Sequence, residues 1–183
     1  MATATTRPIT FGEFEQLPEP REGYRLELRH GEPFQVAPPK IDHTRVQWQI
    51  RRLLERATAG AGIVDKEIGF RIGENDYRIA DVAFISQSRW DSAQDYLIGA
   101  PELVIEVLSA SNTAAEMLEK EQICLANGCQ EFWVVDPDLR IVKVMTPDGR
   151  GITHQSGQEI PLPLLNNARV SVDAIFAPLA EPK

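Results

Sequence analysis

A chain of 183 residues with a net charge of −8 lacks the basic surplus of a general nucleic-acid binder: 19 lysines and arginines stand against 27 acids. That balance argues against broad, non-specific adhesion to polyanions, though a local basic face stays open to it. Cysteine is scarce. Cys124 and Cys129, five apart, match neither a CxxC redox pair nor a zinc knuckle, and read as two reduced thiols. The three histidines, His30, His43 and His154, are scattered, with no HxxxH spacing to suggest zinc. No apolar run nears the roughly 20 residues that a membrane helix needs. The opening Met-Ala-Thr-Ala-Thr-Thr-Arg-Pro lacks the apolar core of a secretory signal. A cytoplasmic protein with no membrane partner is expected.

What is present is ordinary for a globular protein: 43% hydrophobic and 25% charged residues, enough for one full core. The pattern predicts a flexible N-terminal tail over 1–9, a single domain over 10–176 and a C-terminal tail over 177–183. Thr10-Phe-Gly-Glu13 has the form of a capping box opening a short helix. Tyr24–Leu28 and Pro33–Val36 flank a turn at Gly31 and read as a hairpin. Residues 43–59 carry the clearest helical period, with Val46, Ile50, Leu53, Leu54 and Ala57 on one face and Asp42 as the cap. Strands follow over 63–72 and 77–86, then a polar, irregular connection over 87–100. Pro101–Ser109 is a near-continuous apolar strand, as in a sheet covered on both faces. Thr113-Ala-Ala-Glu116 is a second capping box, whose helix leads to strands at 131–135 and 141–145 and to short edge strands beyond. Trp48, Trp90 and Trp133 read as packing residues, and Asp136-Pro137 as a turn. The order predicts an α/β sandwich around a mixed sheet.

Two of these strands hide an acid. Asp81 lies in Arg78-Ile-Ala-Asp-Val-Ala-Phe-Ile85, and Glu106 in Pro101-Glu-Leu-Val-Ile-Glu-Val-Leu-Ser109. A carboxylate among large apolar side chains is costly unless a cation or hydrogen bonds replace its water. Two on successive strands suggest one shared cation, with Lys120 on the helix that follows.

The order of these residues resembles the PD-(D/E)XK restriction-endonuclease-like nucleases. It is closer still to the restriction-endonuclease branch long catalogued as a domain of unknown function. The matching pieces are Glu27-Leu-x-x-Gly-Glu32, His43 opening the long helix, Ala80-Asp81-Val82, Pro101–Ser109, Lys120 and Gly128-Cys-Gln-Glu-Phe-Trp-Val-Val-Asp-Pro137. The resemblance implies a restriction-endonuclease-like mixed β-sheet flanked by helices in one α/β domain. It also implies a DNA-cutting activity that uses Mg²⁺, with Mn²⁺ as a substitute. Asp81 and Glu106 would hold the metal with the backbone carbonyl of Val107, Lys120 would serve the attacking water, and Glu27 would join the acidic cluster. Such a metal neutralises the phosphate and makes water nucleophilic near neutral pH.

The chain departs from the pattern in places. Leu108 stands where the wider superfamily has its lysine, so that role would pass to Lys120. Ala80 replaces a proline, Glu116 stands in place of aspartate and reads as the cap partner of Thr113, and Cys124 replaces an aromatic. Arg45, Arg52 and Arg56, with His43, make a candidate phosphate-contacting stripe. A homodimer would let a small domain meet both strands of a duplex. The rivals are an interaction module that kept the fold without turnover, favoured by Leu108, and a hydrolase of a smaller phosphodiester, favoured by the acidity.

Overall fold

The computed structural model describes residues 7–109 and 112–178. Thr10 caps α1 (Phe11–Phe14) through the expected capping box. β1 (Arg25–Arg29) and β2 (Glu32–Val36) form the expected hairpin. Its turn needs Gly31: φ is +78°, and a Cβ there would come within 2.5 Å of Pro8. That contact, with the Ile9 amide on the Gly31 carbonyl (2.9 Å), fixes residues 7–9 against the hairpin. The described end of the expected N-terminal tail is therefore part of the domain; the rest lies outside the described residues, as do residues 179–183.

α2 (Ile41–Thr58) starts earlier than its apolar period suggests. Lys40 is the N-cap, without a side-chain cap bond, and Asp42 sits in the first turn. β3 (Gly62–Ile72) and β4 (Asp76–Ser86) pair antiparallel along their length. The connection at 87–100 is not irregular throughout: it holds α3 (Gln87–Ser92) and β5 (Leu97–Ile98), which pairs parallel to β3. β6 (Leu103–Val107), α4 (Ala114–Ala126) and β7 (Glu131–Asp136) form a parallel crossover unit. β8 (Ile141–Met145) and β9 (Gly151–His154) extend the sheet, and β10 (Glu159–Leu162), β11 (Ala168–Ser171) and α5 (Val172–Ile175) complete the chain. The main sheet has nine strands, with β2-β1-β4-β6-β7-β8-β9 as its path and β3 and β5 branching from β4.

Two apolar clusters flank this sheet. Ile50 and Leu54 of α2 join Val82, Ile105, Val107 and Trp133 on one side. Cys124 of α4 joins Ala83, Val104 and Phe132 on the other. Full burial of each such Ile or Leu contributes about 1.5–3 kcal/mol, so both helices are pinned by their apolar stripes. Trp48 and Trp90 do not pack as expected: each is 45% exposed, whereas Trp133 is buried. On α2, the Trp48 ring meets Arg51 and Lys66 instead of the core. Asp136 closes its turn by accepting from the amides of Asp138 and Leu139, both at 2.9 Å.

Candidate active site

The site lies where the sheet forks. One edge of β4 pairs with β1 only at Tyr77, through Leu28, and with β6 from Val82 to Phe84. The stretch between, residues 78–81, has no strand alongside on that edge, so its backbone groups need other partners. The expected site residues supply them. Glu27 Oε1 accepts from the Ile79 amide (2.9 Å), and Lys120 Nζ donates to the Ile79 carbonyl (2.7 Å). Glu106 Oε1 accepts from the Asp81 amide (3.3 Å), while Asp81 Oδ2 accepts from the Val107 amide (2.8 Å). Asp81 and Glu106 thus meet across the gap instead of facing away from each other. Lys120 Nζ closes the group at 2.8 Å from Glu106 Oε2 and 3.8 Å from Glu27 Oε1.

Around this centre α2 adds two side chains one turn apart. His43 Nε2 lies 3.1 Å from Asp81 Oδ2, and Gln47 Nε2 donates to Asp81 Oδ1 at 2.9 Å. On the hairpin, Arg29 holds Glu27 Oε2 at 2.8 Å and reaches Glu116 at 3.1 Å. Glu116 also completes the capping box of α4, as its sequence suggests.

The charges settle unequally. Burial pushes Glu106 up to about 7; Lys120 pulls the other way, and Asp81 and Glu27 add to the rise. Burial also works against Asp81, but His43, Lys120 and the Val107 amide hold it below the usual aspartate range. Glu27 is likewise low: Lys120, Arg29 and the Ile79 amide outweigh its burial. Lys120 is raised, because its three acids overcome the cost of burying the ammonium, and His43 is raised by Asp81 against its own burial. Three acids converge on one buried ammonium, and Glu106 is the one that keeps a proton longest.

Three buried polar atoms here have no hydrogen-bond partner: His43 Nδ1, Gln47 Oε1 and Arg25 Nη1. Each is a polar atom that a bound group would satisfy. Gln47 and Arg25 escaped the sequence reading. Gln47 carries a legible signal, being four residues after His43 on one helix face. The arginine stripe is not brought to the site. At about 100° per residue, Arg45, Arg52 and Arg56 fall roughly opposite His43 and Gln47 on α2. The described contacts of His43 are with Asp81 and Gln47 instead. Val107 touches the site through its amide, and Leu108 donates its own amide to the Val135 carbonyl. Among the described residues, no three histidine, cysteine or acidic side chains form a ready cation cage.

A forked mixed sheet that brings together an acid from each of two adjacent strands and a lysine from the crossover helix defines a restriction-endonuclease-like protein. The chain belongs to the Uma2 family, described as "Putative restriction endonuclease", whose profile matches residues 11–174. A solved structure described as "a putative nuclease belonging to DUF820 from Anabaena variabilis ATCC 29413" is similar in fold. Its TM-score is 0.81 at 23% identity, covering 92% of this chain and 98% of that one. A search of curated proteins found no match. Among the described residues, no helix is long and apolar enough to cross a membrane.

Proposed function

We propose that this chain is a Mg²⁺-dependent endonuclease that hydrolyses phosphodiester bonds in DNA, with Mn²⁺ as a substitute metal. The observation that carries the reading is the ammonium of Lys120 2.8 Å from Glu106, whose other oxygen meets the Asp81 amide across the fork. The donor set fits the metal. Mg²⁺ takes hard oxygen ligands and usually only one or two carboxylates, the remainder being water. Asp81 Oδ1 and Glu106 Oε1 each accept one described hydrogen bond, so each keeps a lone pair for a ligand. These two side chains would hold the ion, with the Val107 carbonyl as the family-implied third ligand. When bound, it supplies charge neutralisation at the phosphate and an acidified water.

The remaining work falls to the chain. Lys120 holds a positive charge beside the reacting centre and orients water through its protons. Glu106 Oε2, 2.8 Å from Lys120 Nζ, keeps that ammonium aimed at the centre. His43 and Gln47 fix the Asp81 carboxylate from the helix side. Glu27 holds Lys120 in place and satisfies the Ile79 amide.

Nicking of supercoiled plasmid with added Mn²⁺ tests this. Wild type should nick, and Glu106→Gln and Lys120→Met should not, with melting temperatures showing that both variants fold. Equal nicking by Lys120→Met and wild type removes the lysine from the mechanism. Absence of any metal-linked thermal shift in wild type removes the metal.

A further inference from the structure

The β3–β4 ladder is interrupted once, at Glu67, which stands opposite Asp81 in the register and has a φ of +58°. That conformation is disfavoured for a side chain with a Cβ, and nothing in a plain strand pairing calls for it. Its carboxylate is drawn to Arg25, with Oε2 3.0 Å from Nη1. β1 and β3 lie on opposite edges of β4, so this ion pair spans β4 at the level of the catalytic aspartate. Arg25 shares its strand face with Glu27 and Arg29, and its positive charge is felt by His43. Its Nη1 is buried yet makes no hydrogen bond, despite the nearby carboxylate.

The other cations around the acids are committed. Lys120 balances Glu106 and Glu27, and Arg29 balances Glu27 and Glu116. Turning either toward a ligand would strand a buried carboxylate. Of these three, Arg25 is the one whose described ion pair involves no buried acid, its partner Glu67 being 36% exposed. Its charge can therefore pass to an incoming anion while Glu67 turns to water.

We propose that Arg25 is the phosphate-binding residue of this site, and that Glu67 is a counter-ion which a non-bridging phosphodiester oxygen displaces. The assignment rests on the nuclease reading above. A guanidinium presents two parallel N–H groups to one phosphate, which sets the anion beside Asp81 in a single orientation.

Two titrations in EDTA test it on the full chain: dimethyl phosphate followed by ³¹P NMR, and a short fluorescein-labelled DNA duplex followed by anisotropy. Glu67→Gln should tighten both about tenfold, and Arg25→Ala should weaken both about tenfold. The double variant should bind as Arg25→Ala does, because Glu67 acts through Arg25. If Arg25→Ala melts too early, Arg25→Lys replaces it with a smaller loss. A gain from Glu67→Gln that survives the loss of Arg25 overturns the proposal, since bulk charge would then explain it. Unchanged affinities in Arg25→Ala overturn it too, and leave the nuclease reading standing. If dimethyl phosphate follows the expected pattern while DNA does not bind, the anion site stands and the DNA reading fails. Binding of neither probe overturns both.

Discussion

Two buried charge clusters sit side by side on β4 and α4, and they are finished differently. In the first, Arg78 is 2% exposed and lies between Asp76 (2.8 Å) and Glu119 (2.6 Å). His30 joins through its amide on Asp76 (3.1 Å) and its ring on Glu119 (3.0 Å). None of the buried polar atoms in this cluster lacks a partner. Three residues along β4 and one along α4, Asp81 and Lys120 anchor the second cluster, where three neighbouring atoms are unmet. The first closes on itself and holds the hairpin, β4 and α4 together. The second leaves bonding capacity open toward a ligand. A buried charge by itself therefore does not mark function; the unmet atoms do.

The largest expected effect breaks the first cluster. Arg78→Met leaves Asp76 and Glu119 without their cation and should cost about 3–5 kcal/mol of unfolding free energy. Urea denaturation reads this, while cleavage per folded molecule should stay at the wild-type level. Loss of cleavage at unchanged stability would place Arg78 in the functional cluster and erase the distinction.

Glu106→Gln is the mirror experiment. Cleavage should fall by about 100- to 1000-fold, the cost of losing one preorganised charged group. Stability at pH 6 should hold, because glutamine imitates the protonated side chain that burial favours below about 7. A variant that cleaves normally would show the second cluster to be as architectural as the first.

The same carboxylate gives a pH signature. With Glu106 protonated up to about 7 in the folded chain and an unfolded glutamate titrating near 4.5, the folded state binds more protons between those values. Its contribution to stability is thus full below the unfolded value and is lost as pH rises through 7, by roughly 3 kcal/mol at most. Asp81 has the opposite sign: its contribution is present at neutral pH and disappears only as pH falls through its depressed value. The unfolding free energy of wild type minus that of Glu106→Gln should therefore decline from pH 5 to pH 8. A flat difference would mean that Lys120 keeps Glu106 ionised throughout.

Much of this was legible before any coordinates. The α/β class, the hairpin, both capping boxes and the long helix follow from turn residues, caps and apolar period. Asp81 and Glu106 could be named as site candidates because an acid inside an apolar strand needs a reason, Lys120 from its place on the following helix and Glu27 only from the family resemblance; the structure brings all four together. What stayed hidden depends on long-range geometry. The role of Glu27 and Lys120 in completing an unpaired stretch of β4 arises from where β1 and β6 diverge, which no local pattern encodes. Arg25 reaches across a strand to Glu67, and an arginine in an alternating hairpin looks like any surface charge. The arginine stripe on α2 shows the converse limit: helical spacing shows which residues share a face, but not where that face lies relative to Asp81.

The smallest effect tests the edge of the open cluster. His43 makes no bond with its Nδ1, and its Nε2 lies 3.1 Å from Asp81, so its described role is to hold and charge-balance that carboxylate. Groups that orient a site carboxylate typically govern about 10–100-fold in activity or metal affinity. His43→Ala should sit at the lower end, about tenfold, because Gln47 still donates to Asp81 Oδ1 and the Val107 amide to Oδ2. It should also carry a sign that simple misfolding would not produce. Without His43, Asp81 loses its main lowering influence, so it keeps its proton to higher pH and the acid limb of the cleavage profile moves upward. His43→Gln, which restores a donor without the charge, should recover part of the rate but little of that shift. If both variants keep the wild-type acid limb, His43 belongs with the closed cluster as a packing residue, and Asp81 is held low by Lys120 and the backbone alone.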